Sequence, residues 1–290
     1  MKILKRFLIS LIIIIAIIGV GIIGGYIYIR TAFGIDLFNT IGQLKTLSQK
    51  VDEITLCPNA FSLDDMDALK KNIDTKINGL IAYEEGKGYE GYSVDFSALA
   101  SSTPFTDDIS LSSKQAGALA QTIYYEQTGG KVQIGGKELP TQLVQMDFLN
   151  ISDNGSADFN VIAKVGFTPF KDDMKDFPLN LLKKYVPDDL YVSSTVRIDK
   201  TNEEMAYTIS HKELRLNNLS GEDTADFFHT LDTVLKIGSA ETMNMQIGST
   251  AVNSLIGDNE HTGFVYSLKA LGKTDFKFSL IEETSYLIIH

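Results

Sequence analysis

Twenty-three consecutive residues without a charge, FLISLIIIIAIIGVGIIGGYIYI from Phe7 to Ile29, constrain this chain more than any other feature. About 20 apolar residues suffice for a helix to cross the hydrocarbon core of a bilayer, so the run predicts a transmembrane helix. Its glycines fit two patterns. Gly19, Gly21 and Gly24 spell G-x-G-x-x-G, but a dinucleotide-binding turn must follow a strand and open a helix. Only the same apolar run precedes these glycines, which excludes that reading. Gly21 and Gly25 spell G-x-x-x-G, and small residues at this spacing let membrane helices approach closely, so the pair is read as a helix-packing face.

The run is too long for the roughly 7–15-residue core of a signal peptide, and a cut at its small residues would fall mid-helix. No lipid-attachment cysteine follows, since Cys57 is the only cysteine. Lys2, Lys5 and Arg6 precede the run, whereas Arg30 and Asp36 follow it. The positive-inside rule therefore places the N-terminus in the cytoplasm and the bulk of the chain outside it, as a single-pass protein of the cell membrane. This divides the chain into a cytoplasmic tip and anchor (1–30), a juxtamembrane helical stalk (31–58) and an extracytoplasmic domain (59–290).

Charge narrows the partners. Of the net charge of −11, residues 1–30 contribute +4 (Lys2, Lys5, Arg6 and Arg30, with no acids), so the remaining 260 residues carry −15. Such a domain repels phosphates, which excludes nucleic-acid binding. A content of 44% hydrophobic residues lies far outside the disordered class. One cysteine cannot form an internal disulfide, so the core must hold by packing alone. Few prolines, no tryptophan and abundant Ile, Lys, Asp and Asn fit a bacterium with an AT-rich genome.

Leu37, Ile41, Leu44, Leu47, Val51 and Ile54 recur at helical spacing and predict one amphipathic stalk helix over 35–56, ended by Cys57-Pro58. With the glycine face below it, this stalk provides a route to a homodimer. Ser62 and Asp65 open a second helix predicted to reach Glu84, and Ser112 and Gln115 open a third; both have the capping-box arrangement. Residues 84–107 between them are a loop with a short strand at Tyr92–Phe96, and the loop tyrosines Tyr83, Tyr89 and Tyr92 could line a binding surface.

From about residue 140 the period changes to two. Val144, Met146 and Phe148 alternate with Gln145 and Asp147, Asp153-Asn154-Gly155 signals a turn, and Phe159, Val161, Ala163, Val165 and Phe167 share a face. A proline-flanked helix at 177–187 follows. The hairpin-helix unit then recurs with strands over 190–199 and 206–216 and a helix capped by Asp223 or Thr224. Strands at 262–271 and 275–283, joined at Gly272-Lys273-Thr274, close the chain with SYLIIH. The sum is an α+β domain, a long curved antiparallel sheet of hairpins with amphipathic helices packed on it.

In pattern, with the anchor, the helix LSSKQAGALAQTI and hairpins ending in helices such as FPLNLLKKYVP, residues 100–285 resemble exported YpmS-like proteins of Gram-positive bacteria and, more distantly, tubular lipid-binding proteins. The resemblance implies a curved sheet whose inner face holds lipid acyl chains. The apolar sheet face assigned to that role is Val144, Met146, Phe148, Phe159, Val161, Val165 and Phe167, residue types that otherwise simply build a core.

Catalytic motifs are missing from the chain. His211, His229, His261 and His290 lie too far apart for a zinc-binding motif, and neither G-x-S-x-G nor a phosphate-binding loop occurs. Paired acids such as Asp64-Asp65 and Glu282-Glu283 are read as solubilising charge. The expectation is a non-enzymatic envelope protein with no cofactor and no metal, binding a lipid, another apolar ligand or an envelope protein. A structural or adhesive module with a closed core is the alternative, and an exported carboxylate-dependent hydrolase is the second.

Overall fold

A computed structural model describes residues 37–134, 137–172, 183–235, 238–258 and 263–290. The apolar run with Gly21 and Gly25, the start of the stalk and most of the proline-flanked helix lie outside these residues. Among the described residues no helix is long and apolar enough to cross a membrane.

The stalk helix divides in two. α1 (Leu37–Ser48) ends where the Ser48 hydroxyl turns back onto the Lys45 carbonyl, and α2 (Glu53–Leu56) begins after an extended Asp52 whose carboxylate accepts from Thr55 Oγ1 at 2.6 Å. Side-chain oxygens at such positions compete with the helical backbone. Ile54, which the spacing placed on the apolar stripe, is 83% exposed. Leu44 and Leu47 are buried within the chain itself, where Asn217 Nδ2 donates to the Leu47 carbonyl at 2.7 Å.

α3 (Leu63–Asp74) opens as predicted, with the Asp65 carboxylate accepting from the Ser62 N–H at 2.8 Å. It does not reach Glu84. Gly79, at φ +81°, reverses the chain, and β1 (Ile81–Tyr83) pairs with β2 (Tyr92–Val94). α4 (Ala98–Ser101) and β3 (Ile109–Ser112) lead into α5 (Ser113–Thr128). Its capping box is complete: Ser112 Oγ accepts from the Gln115 N–H at 3.2 Å, and Gln115 Oε1 accepts from the Ser112 N–H at 3.0 Å.

β4 (Lys131–Ile134), β5 (Lys137–Leu149), β6 (Ala157–Gly166), β7 (Asp189–Lys200) and β8 (Tyr207–Leu216) form one antiparallel meander in that order, with α6 (Thr168–Lys171) between β6 and β7. α7 (Gly221–Leu235) is capped by Ser220, one turn before the predicted Asp223 or Thr224; its hydroxyl accepts from the Asp223 N–H at 3.0 Å. α8 (Ala240–Leu255) follows, then α9 (Phe264–Ser267), which continues as a 3₁₀ turn over 268–271. This last segment was expected to be a strand. Phe264, Val265, Leu268 and Leu271 are all buried, a helical spacing, and Gly272 at φ +88° ends the turn. β9 (Phe276–Ile281) and β10 (Thr284–Ile289) complete a second sheet of order β3-β10-β9.

The architecture is α+β with antiparallel sheets and several helices. α5 and α8 cover one face of the meander, and the second sheet packs against its end. There Met146, Phe148, Phe159 and Val161 join Leu119, Val252, Phe276 and Phe278 in one core, with the Phe148 and Phe278 ring centroids 4.8 Å apart. The other face is not bare. The strap from Val51 to Cys57 crosses it and packs on Val144, Ile162 and Tyr191.

Candidate functional site

The seven residues assigned to a ligand-lining face are all buried, but they do not share one face. Met146, Phe148, Phe159 and Val161 belong to the main core beneath α5 and α8. Val144 lies in the cluster on the opposite face with Cys57 and Ile162. The register shift between Leu143 and Gln145 is the reason: one extra residue inverts the alternation that period-two reading assumes. Val165 and Phe167, each 0% exposed, stand outside both clusters, at the C-terminal end of β6 and just beyond it. Of the seven, only Val161 borders either of the two openings that lie beside Thr141.

The two openings flank Thr141. The first is an apolar crevice of about 130 Å³ between α5 and α8 above β4, β5 and β6. Its floor is Leu143, Val161 and Ala163, its walls are Ala120 and Tyr124 on one side and Met243, Ile247 and Ala251 on the other, and Gln246 and Thr250 are exposed at its rim. The hydroxyl of Tyr124 is raised above its ordinary pKa by burial. Each wall helix approaches the sheet closely at a glycine. A Cβ on Gly117 would lie 3.1 Å from Met146 Cβ and 2.6 Å from the Phe61 ring, and one on Gly248 would lie 2.3 Å from Val196 Cγ1. The second opening is a cleft of about 390 Å³ with a mixed polar and apolar lining, bordered by Tyr89, Tyr125, Pro140, Lys164 and Asp189.

The α8 wall was not foreseen. Its signals were Ser239, which accepts from the Thr242 N–H at 3.1 Å as a helix cap, and the four-residue spacing of Met243, Ile247 and Ala251.

The outer sheet face carries a buried polar cluster that is already satisfied. Asp147 accepts from Gln145 Nε2 at 2.5 Å and from Asn59 Nδ2 at 3.1 Å, and Asn160 Oδ1 accepts from Ser193 and Thr195 at 3.0 Å each. Asp158 is occupied by Asn150 at 2.7 Å and Arg197 at 3.2 Å, so the oxygens around Asp153 serve the hairpin. No group of three or more His, Cys, Asp or Glu among the described residues could hold a metal ion.

Cys57, the last residue of the strap, is buried against Val144, Ile162 and Tyr191. Desolvation, with Glu53 and Asp147 beside it, pushes its thiol up to about 11. Because only the thiolate reacts, maleimide at pH 7.5 is expected to label the folded chain on the order of 100-fold more slowly than the chain in urea. Equal rates would mean that the strap does not hold the thiol against the sheet.

No protein-family model, curated protein or solved structure matches this chain.

Proposed function

We propose that this is a membrane-tethered, extracytoplasmic, non-enzymatic protein that takes the apolar end of a lipid or a similar ligand into the crevice between α5 and α8. The observation that carries the reading is the crevice itself: an apolar opening, floored by the sheet, with a rim of Gln246 and Thr250. Its volume of about 130 Å³ is close to that of an engineered apolar cavity of ~150 Å³ that stays dry and binds benzene. It suits the last few methylenes of an acyl chain, each worth about 0.8 kcal/mol when withdrawn from water. The tether rests on the 23-residue apolar run and the basic residues before it.

Membranes containing the full chain, supplied with a phospholipid bearing a diazirine near the end of one acyl chain, provide the test. Crosslinks are expected on peptides containing Met243 to Ala251. Ala251→Phe, which fills the crevice, should reduce them at least fivefold while Cys57 stays protected. Crosslinks no denser on α8 than on the remote helix α3, or unmoved by Ala251→Phe, would sink the proposal and favour a structural envelope module with a closed core.

A further inference from the structure

The cleft on the other side of Thr141 has a chemistry the apolar crevice lacks. Its outer lip is a two-residue hairpin loop, Glu90-Gly91, between Tyr89 and Tyr92, which exchange backbone hydrogen bonds of 2.9 and 2.8 Å. Both loop residues have positive φ, +50° for Glu90 and +95° for Gly91. Gly91 is required, since a Cβ there would lie 2.6 Å from the Tyr83 ring. Glu90 is not: asparagine or glycine suits this turn better, and a glutamate holds the left-handed conformation under strain. Strained residues of this kind cluster at binding sites.

Behind the lip, Tyr89 and Tyr125 are half-buried with ring centroids 5.9 Å apart and planes inclined by 55°. Gln121, 1% exposed, also borders the cleft. Its Oε1 accepts from the Leu143 N–H at 2.6 Å, which fixes the amide and leaves its Nε2 without a hydrogen-bond partner among the described residues. Lys164 lies 3.3 Å from Asp189 and 3.5 Å from Glu53, so its charge is already compensated.

This lining selects by exclusion. A phosphate or carboxylate would meet Glu90 and Asp189 beside a neutralised lysine. An ammonium could pair with Glu90 but has no acceptor to offer Gln121 Nε2. An acyl chain would cover Gln121 Nε2 and the Glu90 carboxylate without offering either a partner. A cleft bordered by both a donor, Gln121 Nε2, and an acceptor, the Glu90 carboxylate, suits hydroxyl groups, which donate and accept from the same atom, and two tyrosine rings border it as well. A volume of about 390 Å³ falls in the ~300–1,000 Å³ range of small-molecule sites. We propose that the cleft binds a neutral pyranose saccharide, with the sugar stacked on the tyrosines and its hydroxyls shared between Gln121 Nε2 and the Glu90 carboxylate. The chemistry is the same for a free oligosaccharide and for the sugar head of a glycolipid.

The full chain in a detergent without a sugar head, mixed with cellotetraose, maltotetraose or chitotetraose, is suited to saturation-transfer NMR. Vesicles carrying diglucosyl-diacylglycerol form the membrane-borne arm. Saturation transfer to ring protons, or retention on the glycolipid vesicles alone, is the expected result, and the two arms separate the sources. Glu90→Gly removes the carboxylate and relieves the strain, so it should weaken binding about tenfold while the melting temperature holds or rises. Tyr89→Ala should weaken it at least as much. Ala251→Phe, which fills the apolar crevice, should leave it unchanged, so failure here and failure of the lipid reading are separable. No binding in either arm, binding indifferent to Glu90→Gly, or choline bound in preference to every sugar would overturn the proposal.

Discussion

Asn244→Ala is expected to destabilise the fold by about 3 kcal/mol, read as a loss of unfolding free energy in urea. Asn244 is fully buried on α8 and serves three groups of the sheet at once. Its Oδ1 accepts from Ser194 Oγ at 2.7 Å, and its Nδ2 donates to the Thr195 carbonyl at 2.7 Å and lies 2.8 Å from His211 Nδ1. These partners surround the register shift between Thr195 and Val196 on β7, where the regular ladder is interrupted. Alanine would leave the Thr195 carbonyl and His211 Nδ1 without the amide and the Ser194 hydroxyl with only its 3.2 Å bond to the backbone carbonyl of residue 244, and each group deprived of its partner is worth about 1–3 kcal/mol. Asn244→Asp should be no better, because a carboxylate cannot donate to Thr195. A loss below about 1 kcal/mol would mean that water reaches the bulge.

Gly248→Ala tests the same seat by size rather than polarity. Alanine favours a helix over glycine by about 1 kcal/mol, so an unconstrained site would gain stability. Here the new methyl would lie 2.3 Å from Val196 Cγ1 and 3.0 Å from Cγ2. Val196 is 0% exposed and β-branched, so its methyl groups have nowhere to turn. Overpacking of this kind costs about 1–3 kcal/mol, and a net loss of about 1 kcal/mol is expected after the helical gain. Val196→Ala in the same chain should recover more than the single changes predict by addition, since the residues touch. A more stable Gly248→Ala chain would show that α8 does not press on the sheet.

These two residues also explain what the sequence concealed. α5 was legible because Ser112 and Gln115 announce its start and Ala116, Leu119, Ala120 and Ile123 hold a clean stripe. α8 was not, because Asn244 and Gly248 interrupt its stripe at the two points where it meets the sheet most closely. A polar residue is needed to complete a bulge and a small one to permit contact, and neither adds to an apolar period. Half of the crevice wall was therefore invisible. Val144 was misplaced for a related cause: a bulge has no signature in a period of two. Turn chemistry divided along the same line. Asp153-Asn154-Gly155 reads directly as a turn, whereas Glu90-Gly91 and Glu282-Glu283, at φ +48° and +66°, place glutamates where local preference would put asparagine or glycine. The cleft depends on the first of these, so its lip could be recognised only from the folded chain.

The central position of β10 in its sheet sets an order on the making of this molecule. β3 finds its partner only when Ile289 reaches Ile109, and β9 is held on the other side of the same strand. Until residues 284–289 have been synthesised, Ile109, Leu111, Phe276 and Phe278 have no sheet to close over them, and the core beneath α5 stays open. Such distant pairings form slowly, and the intermediates that await them expose apolar surface. Ribosomal products that stop before residue 284 should therefore remain unfolded and be cleared by proteolysis.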